Sequence, residues 1–347
     1  MKIAYIVPSL ANKGPVIVVK ELVEQMVQHN HECIVLYFDE IKQLNFSCPT
    51  QRIKGSIIDF SSFDVVHSHG IRPDIYVYMH RKKLGRTCYI STLHNYMFQD
   101  LKYQYNSIVA CVFGKIWIRC LNRHDKIVVL SKDAVQYYSK WIKSDKLTFA
   151  YNTRNPNIEN KLNQEEIRQI LDFKEDNVLI GVNAVLTERK GLDILIKALN
   201  KLPACKVYIV GDGPARESLE KLACNCGVVD RCRFVGYKQD AYRYLEYYDI
   251  FAMPSHSEGF PLALLEAAVY KRTSVVSDIP IIREAFSPNE VSFFNLINPD
   301  TIVQAVLRAI DGKQFGINMN KRYLADYSPA VMYNRYISIY LNTLHFL

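Results

Sequence analysis

The chain has 347 residues, 49% hydrophobic and 22% charged, the composition of a soluble globular protein with room for two domains. Its net charge of +8 is uneven: residues 1–150 hold 20 Lys and Arg against 12 Asp and Glu, whereas the remainder holds 23 against 23. A basic half suits phosphorylated substrates, anionic lipid or nucleic acid, and two Trp with no Arg-rich tract or RNA-binding signature argue against nucleic acid.

In chain order, the start, MKIAYIVPSLANKG, has an apolar run that Pro8 ends too early for the core of a signal peptide. No later run approaches the roughly 18 apolar residues of a membrane span. Short β-branched runs then alternate with helical patterns: KIAYIV, PVIVVKELVEQMVQ, ECIVLYF, DVVHSH, CYISTLH and KIVVLS. Such alternation predicts βαβ units on a parallel sheet. Residues 152–176 are polar and begin Asn-rich, which suits a linker. A second series follows: VLIGVNAV, LDILIKALNKL, KVYIVGDG, ESLEKLACNCG, CRFVGY, DIFAMPS, a helix after Pro261, and TSVVSD. Two doubly wound α/β domains in tandem are expected. Nine scattered cysteines, the nearest pair being Cys224 and Cys226, form no C-x-x-C motif, so a reducing cytoplasm fits and no zinc site is indicated.

Ligands of such sheets bind where strand ends give way to helix N-termini. Gly14 after the first strand, and Gly211 with Gly213 in VGDGPARESLEKL, lie at such places, although each alone is also what a tight turn requires. Arg189 and Lys190 stand immediately before Gly191 and a helix, where two cations complement a diphosphate or form a solvated loop pair. The most informative stretch is PSHSEGFPLALLEA, residues 254–267. Pro261 suits the first helical position, so a helix is expected near Phe260, with its N–H groups and positive dipole end facing whatever sits beside Gly259. Glu266 then lies roughly 7 to 8 Å along the axis, while Glu258 stays in the preceding loop. Two carboxylates bracketing an anion site would accept hydrogen bonds from hydroxyls on either side of it, the pattern of a nucleotide sugar. Taken alone, the pair equally fits a capped core helix with two solvated glutamates.

Together with DVVHSHG, ISTLHNY, KIVVLS, TERKGLDILIKAL, VYIVGDGPARESLEKLA and RFVGY, in order along nearly the whole chain, this E-x7-E stretch resembles glycosyltransferase family 4. The family is retaining and has the GT-B fold, two facing Rossmann-like domains with a cleft between them. The resemblance implies an acceptor-side domain at 1–160, a nucleotide-sugar domain at 161–325, and a C-terminal helix at 326–347 that crosses back to the first domain. It makes Lys190 a ligand of the donor diphosphate, places Glu258 near the donor sugar, and puts Glu266 on the ribose hydroxyls. Gly259, Phe260 and Pro261 line the sugar and phosphate pocket, Tyr237 and Lys238 meet the nucleobase, His94 reaches the donor sugar, and Gly14 matches the phosphate-side loop.

There are departures. The arginine that the family commonly carries five residues before the lysine is Val185 here, for which Arg189 is a substitute; the usual Gly-Gly of the first loop is KGP; and IREAF, with Glu284, replaces a glycine-rich loop. His67, His69 and His94 follow strand patterns that point into the cleft, with a hydrogen-bonded interior as the other reading of His67, and His256 has the setting of a solvated loop residue.

The resemblance implies front-face attack by the acceptor hydroxyl, with a donor phosphate oxygen taking the proton. The enzyme's work is to stabilise the leaving diphosphate, for which Arg189, Lys190 and the helix start at Phe260 are suited. No D-x-D triplet occurs, so no metal or other cofactor is expected. NSIVACVFGKIWIRCLNRHDK mixes large apolar residues with Lys115, Arg119, Arg123 and Lys126. It reads either as a domain helix packing inward or as an amphipathic helix resting on anionic lipid. The expected activity is transfer of a hexose from a nucleotide sugar, a UDP-sugar, to a lipid-linked or growing polysaccharide acceptor at the cytoplasmic face of the membrane. The rivals are a sugar-nucleotide epimerase of the same fold and a catalytically silent glycan or nucleic-acid binding module. A nicotinamide dehydrogenase would need G-x-G-x-x-G after the first strand, which PSLANKG lacks.

Overall fold

The structure, a computed structural model, describes residues 1–55, 57–81 and 86–345. Seven strands build the first sheet: β1 Lys2–Leu10, β2 Glu32–Lys42, β3 Thr50–Arg52, β4 Val65–His69, β5 Cys88–Thr92, β6 Lys126–Val129 and β7 Leu147–Phe149. They are parallel and ordered β3-β2-β1-β4-β5-β6-β7. Their helices are α1 Gly14–Gln28, α2 Ile71–His80, α3 Met97–Gln104, α4 Ser107–Leu121 and α5 Lys132–Tyr138. A parallel sheet is covered on both faces, which is why the inner strands are continuous apolar runs. Ile3 through Val7 of β1, for example, are all fully buried.

The second sheet repeats the winding with β8 Val178–Asn183, β9 Cys205–Val210, β10 Cys232–Gly236, β11 Ile250–Met253, β12 Thr273–Ser277 and β13 Ser292–Phe294, ordered β10-β9-β8-β11-β12-β13. Around it lie α6 Gln164–Lys174, α7 Leu192–Ala198, α8 Arg216–Asn225, α9 Leu262–Val269, α10 Pro280–Ala285, α11 Thr301–Asp311 and α12 Gln314–Asp326. The core fills with Ile180, Val182, Leu195, Val207, Ile209 and Val275 between strands and helices. In both sheets the strand order reverses beside the first strand, so each has a topological switch point: β1/β4 in one and β8/β11 in the other.

The chain divides into one unit of Met1–Arg154 with Tyr327–Leu347 and a second of Asn155–Asp326. The division at 154/155 precedes the expected 160/161 because the intervening residues join the second unit, where Asn160 Nδ2 donates to Asp240 and to Tyr242 OH at 3.4 Å each. The stretch 152–176 is not a continuous linker, since α6 occupies its second half. Asn163 caps that helix by accepting from Glu166 N, and Ile170 is its buried anchor. Ile167, Ile170 and Phe173 follow a helical spacing on the packed side, a signal masked by the polar, Asn-rich stretch that precedes them.

The last helix, α13 Pro329–His345, belongs to the first unit, where Tyr336 and Tyr340 are buried against the sheet. Among the described residues, no helix is long and apolar enough to cross a membrane.

Candidate active site

The second unit assembles its site at the β8/β11 switch point. The loop after β8 ends in a single 3-10 turn, Glu188–Lys190, and Gly191 then turns the chain into α7 with φ +62°. A Cβ at Gly191 would stand 2.1 Å from the Pro254 carbonyl oxygen, so only glycine lets this loop lie against the one after β11. The backbone seals the contact, with His256 N donating to Arg189 O at 2.8 Å. Next door, Gly211 and Gly213 after β9 have φ of +145° and +158°, and a Cβ at either would strike the carbonyl oxygen of Ala184 or Leu186. Gly211 N also donates to Gly236 O at 2.9 Å, tying in the end of β10. Four loops at the carboxyl edge are thereby locked by backbone contacts that tolerate no side chain.

Glu258 sits at the centre. Its side chain is buried, its Oε1 accepts from Lys190 Nζ at 2.6 Å, and Arg189 Nη1 lies 3.6 Å from Oε2 while donating to Ser257 O at 2.6 Å. Burial alone would raise the Glu258 carboxyl, but the charges of Lys190 and Arg189 outweigh it and hold the group below the usual glutamate range. The trio of two cations and one anion keeps a net positive charge at a helix-bearing strand edge. That is the electrostatic setting for a phosphate group, with a carboxylate alongside that fixes the lysine.

The helix start differs from expectation. α9 begins at Leu262, and Pro261 is its cap with a non-helical ψ of 70°, because Leu262 N turns back to Phe260 O at 2.9 Å. Phe260 and Pro261 are buried, Gly259 is half-buried, and Glu266 lies half-exposed in the second turn of α9. After β10, Tyr237 is 60% exposed, whereas the Lys238 ammonium pairs with Glu166 at 3.0 Å. Tyr244 OH also donates to Glu166, at 2.8 Å, and these partners hold its carboxyl low against the opposing effect of burial. Among the described residues, no group of three or more His, Cys, Asp or Glu is placed to hold a metal ion.

The first unit places Gly14 at the start of α1 after β1, and its histidines at the ends of β4 and β5. Side chains alternate along a strand, so Tyr5, His67 and His69 share one face with Thr92 and Ser68 takes the other. On the first face His67 is saturated: Nδ1 pairs with Tyr340 OH at 2.7 Å and Nε2 with Thr92 Oγ1 at 2.8 Å. Of the two readings of His67, the hydrogen-bonded interior residue is the one observed. His69 Nδ1 meets His94 Nε2 at 3.0 Å, and burial lowers His94 to about 4. On the second face Ser68 donates to Asp74 at 2.6 Å, Trp117 Nε1 donates to the other Asp74 oxygen at 2.6 Å, and His124 Nε2 lies 3.2 Å from Ser68 Oγ. Burial pushes Asp74 up to about 7 and His124 down to about 4, and neither has solvent access. The Ser68 hydroxyl donates its hydrogen bond to the Asp74 carboxyl, so this is a buried structural network and not a nucleophile with its base.

Residues 163–323 match the family described as glycosyl transferases group 1, and residues 13–157 match Glycosyltransferase Family 4. Along 99% of the chain and 98% of the relative, the sequence is 32% identical to the O-antigen biosynthesis glycosyltransferase WclY of Escherichia coli. The chain belongs to glycosyltransferase family 4. A second E. coli relative, a UDP-Gal:alpha-D-GlcNAc-diphosphoundecaprenol alpha-1,3-galactosyltransferase, is 23% identical over 74% of the chain and 68% of its own length. Among solved structures, Anabaena HepE in complex with UDP and glucose superimposes with a TM-score of 0.80, covering 98% of this chain and 99% of that one at 14% identity. The fold is GT-B in class, with two Rossmann-like parallel-sheet units.

In this family 4 glycosyltransferase the departures have a structural form. Val185 is 64% exposed in the loop after β8, and Arg189 is anchored on the Ser257 carbonyl beside Glu258. Glu284 lies in α10, whose Arg283 grips Asp278 at 2.5 Å and 2.7 Å. Sequence reasoning missed the role of Glu166 as the partner of Lys238, for which α6 had first to be recognised. The His69–His94 contact was signalled only by the alternation of His67 and His69 at a strand end.

Proposed function

We propose that this glycosyltransferase is a retaining, metal-independent enzyme that moves a hexose from a UDP-sugar to a lipid-linked glycan acceptor during assembly of a bacterial surface polysaccharide such as O-antigen. The observation that carries the reading is the buried Glu258 gripped by Lys190 and Arg189 at the β8/β11 switch point, eight residues before Glu266. The printed names of the E. coli relatives, and HepE with UDP and glucose, support the donor and acceptor classes.

In this mechanism Lys190, Arg189 and the start of α9 stabilise charge as it grows on the departing diphosphate. Glu258 holds the Lys190 ammonium in place and accepts from a sugar hydroxyl, Glu266 accepts from the ribose, and Tyr237 with the backbone at Lys238 meets the base. Gly259, Phe260 and Pro261 line the donor pocket, with Gly211 at its edge. His94 and Gly14 act toward the same donor, as the resemblance implies. The acceptor hydroxyl attacks the anomeric carbon on the face the diphosphate leaves, and a donor phosphate oxygen receives its proton, so the anomeric configuration is kept.

The cytoplasmic membrane face is the proposed workplace, with α4 as the contact. Ala110, Gly114, Ile118 and Leu121 of α4 pack inward, yet Ile108, Val112, Phe113 and Ile116 remain exposed beside the exposed Lys115 and Arg119. Apolar side chains flanked by cations suit anionic lipid. The deciding experiment offers a panel of UDP-hexoses with undecaprenyl-diphosphate-linked sugars and follows UDP release and product anomer. Formation of an α-linked product from an α-linked donor supports the reading; an inverted product refutes retention, and donor turnover without any acceptor favours the epimerase.

A further inference from the structure

We propose that His69 is a positioning residue that fixes the single proton of His94 on Nδ1, so that His94 offers a hydrogen-bond donor to a ligand oxygen; the ligand half of this statement rests on the donor-binding reading above. His69 Nδ1 and His94 Nε2 are 3.0 Å apart, so one hydrogen lies between them. Burial lowers both rings, His94 to about 4, which keeps both neutral near pH 7. Two arrangements are then possible. If His94 Nε2–H donates, neutral His69 must carry its own hydrogen on Nε2; if His69 Nδ1–H donates, His69 Nε2 is a bare lone pair.

The surroundings of His69 choose between them. His69 is 1% exposed, and its Nε2 is buried with no hydrogen-bond partner among the described residues. A buried N–H without an acceptor is rarer than an unmet lone pair. The hydrogen of His69 therefore sits on Nδ1 and points at His94. His94 Nε2 accepts, and the one remaining proton of that neutral ring is on Nδ1. His94 is half-exposed, and its Nδ1 makes no hydrogen bond among the described residues.

The ladder beneath is rigid. The His67 ring lies 4.2 Å from His69 and is pinned by Tyr340 and Thr92, so α13 holds the stack from below. An Nδ1–H donor recognises an oxygen lone pair, on a sugar hydroxyl or a phosphate, and in this form His94 has no basic nitrogen to offer there.

Long-range proton–nitrogen NMR on the full chain labelled with 15N-histidine reads the tautomers without any ligand. His94 protonated on Nδ1, with His69 likewise, is the expected pattern; a proton on His94 Nε2 overturns the proposal. The His69→Asn variant keeps an amide N–H near the position of Nδ1 and should preserve the pattern, whereas His69→Phe should let His94 become a tautomer mixture. An unchanged His94 in His69→Phe would also overturn it, and if that variant misfolds the wild-type spectrum still decides. Titration with UDP and then UDP-glucose separates the ligand oxygens: a response to UDP marks phosphate, and one to UDP-glucose alone marks a sugar hydroxyl. Silence to both, with the tautomer as expected, would refute the donor role of His94 and leave the action of His69 on it standing.

Discussion

The Lys190 ammonium lies 2.6 Å from Glu258 Oε1, with the glutamate side chain only 8% exposed. The first cation of the proposed diphosphate site and the first carboxylate of the E-x7-E pair are therefore one unit. Changing Lys190 removes a charge that holds the Glu258 carboxyl low, and changing Glu258 frees the ammonium from its partner.

Lys190→Ala should lower turnover on the order of 100-fold, as removal of a preorganised charged donor does. It should also cost about 2 kcal/mol of stability, less than a fully broken buried pair because Arg189 remains nearby. A Lys190→Met, Glu258→Gln double variant should regain most of that stability and none of the activity. Urea midpoints and initial rates on the same preparations test both; full turnover in a folded Lys190→Ala would remove Lys190 from the reaction.

The Glu258 carboxyl titrates below the ordinary glutamate value of 4.5. The unfolded chain therefore binds this proton more readily than the native one. The contribution of the pair is complete above that value and is lost as pH falls through the native pKa. Stability of the wild type should decline more steeply below about pH 4.5 than that of Glu258→Gln. Parallel acid curves in denaturation midpoints would contradict the assignment.

Glu258 and Glu266 should fail differently toward UDP alone. Glu258→Gln removes a partner of Lys190 but no proposed contact with the nucleotide, so it should bind UDP at least as well as wild type. Glu266→Gln should lose about 1 to 2 kcal/mol of binding, the scale of a charged hydrogen bond. Calorimetry giving the reverse order would mean that the donor lies the other way along α9.

Transfer should persist in excess EDTA, because the proposed diphosphate ligands are cations and backbone and the chain has no D-x-D triplet. Abolition by chelator and recovery on adding magnesium or manganese would show a metal bridge.

The two-sheet α/β plan, Gly191 as the loop-to-helix turn and the E-x7-E stretch were legible in the sequence because period, glycine placement and spacing are local properties. α6 was not evident, although Ile167, Ile170 and Phe173 keep a helical spacing, because the polar, Asn-rich residues before it set the character of the whole stretch as a linker. Nor was the start of α9: the sequence marked Pro261 as helical, but the Phe260–Leu262 turn leaves it as a cap. The pairing of Lys190 with Glu258 joins residues 68 positions apart, and that of His69 with His94 joins residues 25 apart. Such contacts exist only because parallel winding brings loops from separate strands to one carboxyl edge. Sequence by itself thus determined which chemistry was available at each strand end. The tertiary structure decided which groups meet, and hence that Glu258 is ionised and that His94 is neutral, because burial and the neighbouring charges set protonation.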